Sequence, residues 1–321
     1  MSSLAQRRQP VLVYDIGGTK TIAAVVRGRD LLAAQTFPTD TADAARHFAV
    51  CAALRDPLCD KAGIGRSAIA ACGVNLPGMV DTGNGRLLYA PLAGWRDVPA
   101  RAFFADRLGL PPERVAVEND VNACALGEHG YAADPCRDFL WLTVSTGCGG
   151  AVFAEGRLLR GAGGCAGEIG HVKVEYTRPL LCPCGQSGCL EAHASGTAMA
   201  AQLAADPVLA DRCAARGLAP TAQSLCLLAS EGDRNALRIT DRCGVWLGRA
   251  IAAALNLVNA RRVYIGGGVA QSLALFLPAI RRTVAACTVA GCADAELLPS
   301  ALGYQAAVFG AAATAYALED A

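Results

Sequence analysis

The stretch VLVYDIGGTKTIAAVVRGRDLLAAQTF, residues 11–37, decides the fold. VLVYDI is an apolar run closed by Gly17 and Gly18, TIAAVV returns, a turn at Arg27 to Asp30 follows, and LLAAQTF returns again. Short apolar runs punctuated by glycine read as three consecutive antiparallel strands, with a tight turn between the first two. The pattern partly repeats at FLWLTVSTGCGGAVFAEGRLLRG, residues 139–161, again with a threonine and glycines at the first turn and with Glu155-Gly156 at the second. Two related domains facing a cleft are therefore expected. Between and after these hairpins, helical and strand patterns alternate. A helix is expected near Asp43 to Leu54, a buried strand at IAACGVNL, short strands around Met79 to Asp81 and Arg86 to Ala90, a helix near Val98 to Leu108, and a strand at RVAVEN. Helices then dominate from about Ser195 to Ala260, the longest spanning roughly Arg234 to Asn259, before RRVYIGGGV restores strand, glycine turn and helix. Such alternation places the chain in the α/β class.

Composition narrows the function. The 321 residues are 53% hydrophobic, enough for real cores, and 29 Lys and Arg nearly cancel 28 Asp and Glu. No net field draws this chain to nucleic acid, an anionic membrane or an acidic partner, so a small molecule is the expected partner. The uncharged runs Val263 to Ile280 and Leu297 to Leu318 approach the length of a membrane helix. Three consecutive glycines in the first, and Pro299, Gly303, Gln305 and Gly310 in the second, fit strand, loop and helix better. MSSLAQRRQP leads straight into a strand without the apolar segment of a signal peptide. Fifteen cysteines, an odd number scattered through apolar surroundings, read as buried thiols of a reducing compartment, which makes the cytoplasm the expected location. Only Cys182, Cys184 and Cys189, within LCPCGQSGCLEAH at 181–193, are spaced to share a ligand.

Three glycine turns at strand ends carry the chemistry. In DIGGTK, Asp15 to Lys20, the backbone N–H groups and the Thr19 hydroxyl can converge on phosphate oxygens, and Asp15 can hold Mg²⁺ through water. Alone, this would read as a plain hairpin turn. STGCGG, Ser145 to Gly150, and IGGGV, Ile265 to Val269, add two more such loops and make nucleotide binding the better reading. Neither the P-loop nor the dinucleotide fingerprint occurs in them.

DIGGTK, ENDVNACALGE at Glu118 to Glu128, STGCGG, GEIGH at Gly167 to His171 and CPCGQSGCLE at Cys182 to Glu191 together resemble the ROK family of bacterial sugar kinases and related repressors. The resemblance covers nearly the whole chain. It implies an actin-like, ribonuclease H-like ATPase fold of two lobes around a cleft, divided as 1–119 plus 305–321 and 120–304, with ATP and sugar bound between them. It implies transfer of a phosphoryl group from Mg-ATP to a hexose hydroxyl, with Asp120 as the general base. Phosphoryl transfer relies mostly on positioning and electrostatics, so a carboxylate beside the acceptor is chemically sensible. As a purely structural residue, Asp120 would instead cap the helix VNACALGE.

By the same resemblance, Gly78, Asn119, Asp120, Glu168, His171 and Glu191 bind the sugar, whose hydroxyls both donate and accept hydrogen bonds. Without that role Glu168 would be a residue of a surface helix. Asp15, Gly17, Gly18, Thr19, Lys20, Thr146, Gly147, Gly149, Gly266, Gly267 and Gly268 correspond to ATP and Mg²⁺ contacts. His171, Cys182, Cys184 and Cys189 make a Cys₃His set that can close a structural Zn²⁺ site, bracing His171 and Glu191, with Cys165 a bystander. The expected sugar is glucose, phosphorylated at the 6-position, although YAPLAGWRD (Tyr89 to Asp97) has Leu92 where glucokinase-like members often carry Asn, and Met79 stands where some N-acetylmannosamine kinases have Arg. N-acetylmannosamine, N-acetylglucosamine and fructose are the alternative acceptors. A repressor of this family needs a helix-turn-helix module, for which the 14 residues before Asp15 are too few. A noncatalytic sugar sensor would not require Asp15 and Asp120 together. A homodimer or higher homo-oligomer is the implied assembly.

Overall fold

The computed structural model describes residues 4–91 and 93–318. Leu92 therefore lies outside the described residues, and with it the departure from the glucokinase-like sugar loop. The chain divides into two compact units, one of Met1–Pro135, Arg160–Ala166 and Gln305–Ala321, the other of Cys136–Leu159 and Gly167–Tyr304.

The first unit is built on the opening hairpins. Strands β1 (Val11–Ile16), β2 (Lys20–Arg27) and β3 (Asp30–Pro38) pair antiparallel, and β4 (Cys72–Leu76) and β8 (Val115–Asn119) extend the sheet in parallel, giving the order β3-β2-β1-β4-β8. β1 and β4 are buried almost throughout, which is why they read as unbroken apolar runs. Helix α1 (Ala44–Ala53) starts where Asp43 accepts from the Arg46 amide, and a second helix, α2 (Arg55–Ala62), follows directly. A small sheet of β5 (Met79–Asp81), β6 (Arg86–Ala90) and β7 (Trp95–Val98) intervenes before α3 (Ala100–Leu108).

Helix α4 (Asp120–Tyr131) follows β8 and packs on the C-terminal helix Ala306–Ala317. The two backbones meet at glycines: a Cβ on Gly310 would lie 2.3 Å from the Ala123 carbonyl oxygen, and one on Gly127 2.8 Å from the Gly310 nitrogen. Ring contact between Tyr131 and Phe309, at 4.9 Å, continues the seam. This packing holds α4 in the first unit, so the division falls after Pro135 and not between 119 and 120 as expected from the sequence.

The second unit repeats the sheet. Strands β9 (Phe139–Val144), β10 (Cys148–Ala154) and β11 (Arg157–Leu159) are antiparallel, and β12 (Arg262–Gly266) and β13 (Glu296–Pro299) add in parallel, for the order β11-β10-β9-β12-β13. Glu155 and Gly156 both have positive φ, 55° and 77°, the backbone that a two-residue hairpin turn demands. The same order twice agrees with the duplicated, actin-like arrangement implied by the resemblance. Between β11 and β12 lie the cysteine segment and helices α5 (Leu190–Ala194), α6 (Gly196–Ala205), α7 (Pro207–Ala215), α8 (Ala222–Ser230) and α9 (Arg234–Val258), and α10 (Leu273–Cys287) packs along α9. Gly244 and Gly248 let those two helices approach: added Cβ atoms would lie 2.7 and 2.6 Å from Ala279 and Thr283 side chains. Among the described residues no helix is long and apolar enough to cross a membrane, and all fifteen cysteines are free thiols.

Candidate active site and metal centre

In the first unit, Asp15 ends β1 and accepts from Asn75 Nδ2 at 3.2 Å, while the same amide donates to the Ala307 carbonyl at 2.9 Å. Burial pushes the Asp15 carboxyl above its ordinary value, against the pull of Asn75 and Lys20. A carboxylate so poorly solvated gains from a cation, so its chemistry fits Mg²⁺. The Gly17-Gly18-Thr19 turn beside it closes with Gly17 N donating to the Lys20 carbonyl at 3.0 Å, leaving Thr19 and Lys20 exposed.

A buried polar chain holds this turn from behind. The Asp40 amide donates to His47 Nδ1 at 3.2 Å, so the neutral ring carries its proton on Nε2 and donates to Thr21 Oγ1 at 2.7 Å. Thr21 Oγ1 then lies 2.9 Å from Thr39 Oγ1, which donates to the Gly17 carbonyl at 2.8 Å. Burial lowers the His47 pKa and keeps the ring neutral, as this sequence of donors requires. Neither His47 nor Thr39 was legible as a site residue, because each acts through the fold on a turn more than twenty residues away.

At the end of β8, Asn119 caps α4: its Oδ1 accepts from the Val121 and Asn122 amides at 3.0 and 2.9 Å. The cap is thus Asn119, and Asp120 is the first residue of the helix, which corrects the capping alternative for Asp120. Asn119 Nδ2 donates to the Gly78 carbonyl at 2.9 Å and lies 3.2 Å from Asp120 Oδ1, so its amide clamps the Gly78 turn to the aspartate. Gly78 itself has φ 88°, and a Cβ there would lie 2.3 Å from the Tyr89 carbonyl oxygen. Asp15, Asp120 and Glu128 all act on the buried Cys124 thiol, which burial and these carboxylates drive well above its ordinary pKa. Asp15 and Asp120 therefore share one electrostatic neighbourhood.

In the second unit, the turn between β9 and β10 is pinned to the start of α6. Gly196 N donates to the Ser145 carbonyl at 2.7 Å, and Thr197 donates through N and Oγ1 to the Thr146 carbonyl at 3.3 and 2.9 Å. Thr146 is exposed, and Gly149 sits in β10 opposite Thr143. Glu191, in α5, reaches this turn: Oε2 accepts from the Cys148 amide at 3.0 Å and would lie 2.4 Å from a Cβ on Gly147. Of the three glycines that end β12 and follow it, Gly266 to Gly268, two are demanded by packing. Added Cβ atoms would lie 2.5 Å from the Trp141 ring at Gly266 and 2.5 Å from the Val144 carbonyl oxygen at Gly267. Gly268 meets nothing within 4 Å, so its backbone is open to a ligand.

The cysteine segment folds against the same region. One donor atom each from His171, Cys182, Cys184 and Cys189 lie within 4.8 Å of one another. Cys184 and Cys189 sulfurs are 3.7 Å apart, and Cys182 Sγ is 3.8 Å from His171 Nδ1. A tetrahedron with metal–sulfur bonds of about 2.3 Å has edges of about 3.8 Å, so the set fits a four-coordinate thiophilic cation. Lys173 Nζ lies 3.1 Å from Cys189 Sγ, where it would offset the negative charge that three thiolates bring to such a cation. The other imidazole nitrogen, Nε2, faces Glu168 at 3.7 Å, so one ring spans the metal set and a carboxylate. Glu168 is exposed and precedes a 3-10 turn (Ile169–His171), not a surface helix. Glu191 Oε1 lies 3.9 Å from Cys182 Sγ. Cys165 stands apart, its thiol against the Gly163 carbonyl at 3.4 Å.

Known proteins resemble this chain over most of its length. The ROK family pattern matches residues 11–317. A glucokinase of Halalkalibacterium halodurans is 34% identical over 253 residues, 76% of each chain. An N-acetylmannosamine kinase of Salmonella typhi is 35% identical over 266 residues, 80% of this chain and 82% of its own. The structure of a ROK family glucokinase from Streptomyces griseus with glucose and AMPPNP superposes with a TM-score of 0.81, at 31% identity, covering 94% of this chain and 98% of that one.

Proposed function

The chain belongs to the ROK family, and on that premise we propose that it is an ATP-dependent sugar kinase whose acceptor is glucose, phosphorylated at the 6-hydroxyl. The observation that carries the reading is the Asp120 carboxylate, set at the first residue of α4 by the Asn119 cap and sharing its surroundings with Asp15.

Asp120 takes the proton of the attacking hydroxyl, a general-base step typically worth about 10²–10⁴ in rate. The Gly17-Gly18-Thr19-Lys20 turn and Asp15 would hold the Mg-phosphate end of ATP, and Thr146, Gly147, Gly149 and Gly266 to Gly268 are the further residues assigned to the nucleotide. Asp15 would hold the Mg²⁺, which when bound would supply positive charge against the charge that develops on the transferred phosphoryl group. Asn119 and Gly78 shape the turn that presents the hydroxyl, while Glu168, His171 and Glu191 read the remaining hydroxyls of the sugar. His171, Cys182, Cys184 and Cys189 would hold Zn²⁺ as a structural ion, and with four protein donors its work would be to keep His171 and the neighbouring Glu191 in place. The protein works in the cytoplasm as a homodimer or higher homo-oligomer, and nucleic acid and membrane have no part in this reading.

The test is ADP release from Mg-ATP across glucose, N-acetylmannosamine, N-acetylglucosamine, mannose and fructose, with Asp120→Asn in parallel. Glucose is expected to give the highest kcat/KM, and the variant to lose about 10³-fold in kcat while binding the sugar within about threefold of the parent. A higher value with N-acetylmannosamine would replace glucose as acceptor. Sugar binding without turnover by either protein would make the chain a sensor.

A further inference from the structure

Glu118, directly before the Asn119 cap, is a carboxylate buried to 3% of its side-chain surface. All of its acceptor capacity is spoken for. Oε2 accepts from Arg160 through Nε at 3.1 Å and Nη2 at 2.6 Å, and Oε1 accepts from the Asn119 amide at 3.0 Å and from Asn122 Nδ2 at 3.3 Å. β8 is the edge strand of its sheet, so the Asn119 amide depends on Glu118 for its partner. A buried ionised carboxylate persists only while paired and fully hydrogen-bonded, and among the described residues Arg160 is the cation paired with it.

Arg160 opens the segment Arg160–Ala166, which belongs to the first unit although the chain on both sides of it belongs to the second. The segment closes on itself through the Ala166 amide, which donates to the Arg160 carbonyl at 3.0 Å, and its next residues are Gly167 and Glu168. Gly161 and Gly164, with φ of 71° and 75°, supply the left-handed turns that let so short a loop return.

We propose that Arg160 is a positioning residue of phosphoryl transfer: by gripping the Glu118 carboxylate with two N–H donors, it fixes the Asn119–Asp120 corner and so the direction of the catalytic carboxylate. The proposal rests on the kinase reading above for its catalytic consequence and on geometry alone for the lock itself. Without the guanidinium, Oε2 loses both of its donors and the Glu118 side chain is free to swing out of its pocket. The Asn119 amide then loses its acceptor, and the cap that orients Asp120 loosens. Displacement of a reacting group by about 1 Å costs about 10²-fold in rate.

The experiment compares Arg160→Met, Arg160→Lys and the double variant Glu118→Gln with Arg160→Met. Arg160→Met is expected to lower kcat about 10²-fold while KM for ATP stays within about threefold. Arg160→Lys should regain about tenfold, since an ammonium restores charge without the two-pronged contact. The double variant should exceed Arg160→Met in kcat, because a neutral amide in place of the Glu118 carboxylate needs no counter-ion and its carbonyl can still accept from the Asn119 amide. Amide hydrogen exchange at Val121 and Asn122 reads the lock without activity, and should quicken at least tenfold in Arg160→Met relative to amides of β1. Unchanged exchange at these amides, or a kcat equal to the parent's, overturns the proposal. So does an equal loss in all three variants that tracks their thermal midpoints. If the parent protein turns over no sugar while exchange still quickens, the kinase reading has failed and the lock stands.

Discussion

The turn between β1 and β2 and the turn between β9 and β10 occupy the same place in two sheets of the same strand order, yet different chemistry holds them. In the first unit, neutral groups do it: the Asp40 amide, His47, Thr21 and Thr39 pass donors one way to the Gly17 carbonyl. In the second, a carboxylate does it: Glu191 accepts from Cys148 N and excludes a side chain at Gly147. That carboxylate comes from a helix two residues beyond the last cysteine of the metal set. The difference teaches that a duplicated sheet supplies a backbone, and that the segments inserted beside it assign the work. The first unit carries Asp120, the proposed base, after β8, whereas the second carries the Cys₃His set and the proposed sugar ligands between β11 and β12.

The largest expected break in the comparison comes from the metal set. Cys184→Ser, or chelation, should lower the thermal midpoint of the second unit by on the order of 10 °C, with zinc restoring the chelated protein and not the variant. A scanning calorimetry trace unmoved by chelator would remove the brace from the account. A smaller effect separates the two turns. At Gly147→Ala the new Cβ meets Glu191 Oε2, the end of a side chain, so the fold yields by moving that carboxylate; KM for glucose should rise about tenfold with little change in stability. At Gly17→Ala the Cβ lies 3.1 Å from the Lys20 carbonyl oxygen, a backbone atom, and the expected change is below about threefold and falls on ATP. Equal effects on both substrates would erase the distinction.

The smallest effect sharpens the neutral chain. Burial lowers the His47 pKa, so its contribution to stability is complete above the unfolded value, near pH ~6.5, and is lost as pH falls below that toward the folded value. Between pH 8 and 6 the urea midpoint should fall by roughly 0.2–0.5 M more in the parent than in His47→Gln. Parallel midpoints across this range would mean that the ring's protonation does not matter to the turn.

The hairpins were legible because continuous apolar runs mark strands buried on both faces and glycines mark their turns, and the Cys₃His set was legible because its members have a spacing as well as a type. Other parts were not. α2 carries Pro57 in its first turn, which reads as a breaker, and β7 is four residues with two charges, too short and too polar for a periodicity. Asn119 and Asp120 are both good capping residues at adjacent positions, so only the backbone decides which one caps. Nothing around Arg160 signals a partner, since Glu118 is 42 positions away.

Residue type and local order were enough for the class of fold, the glycine turns and the four candidate metal donors, and through the family resemblance they pointed to Asp120 as the proposed base. Tertiary structure alone decided that α4 belongs with the first unit, that Glu191 supports the second turn, that His47 stays neutral and that Arg160 secures the corner bearing Asp120. Those outcomes depend on burial and on atoms brought within hydrogen-bond reach from distant positions, and desolvation acts on a group only once the chain has closed around it.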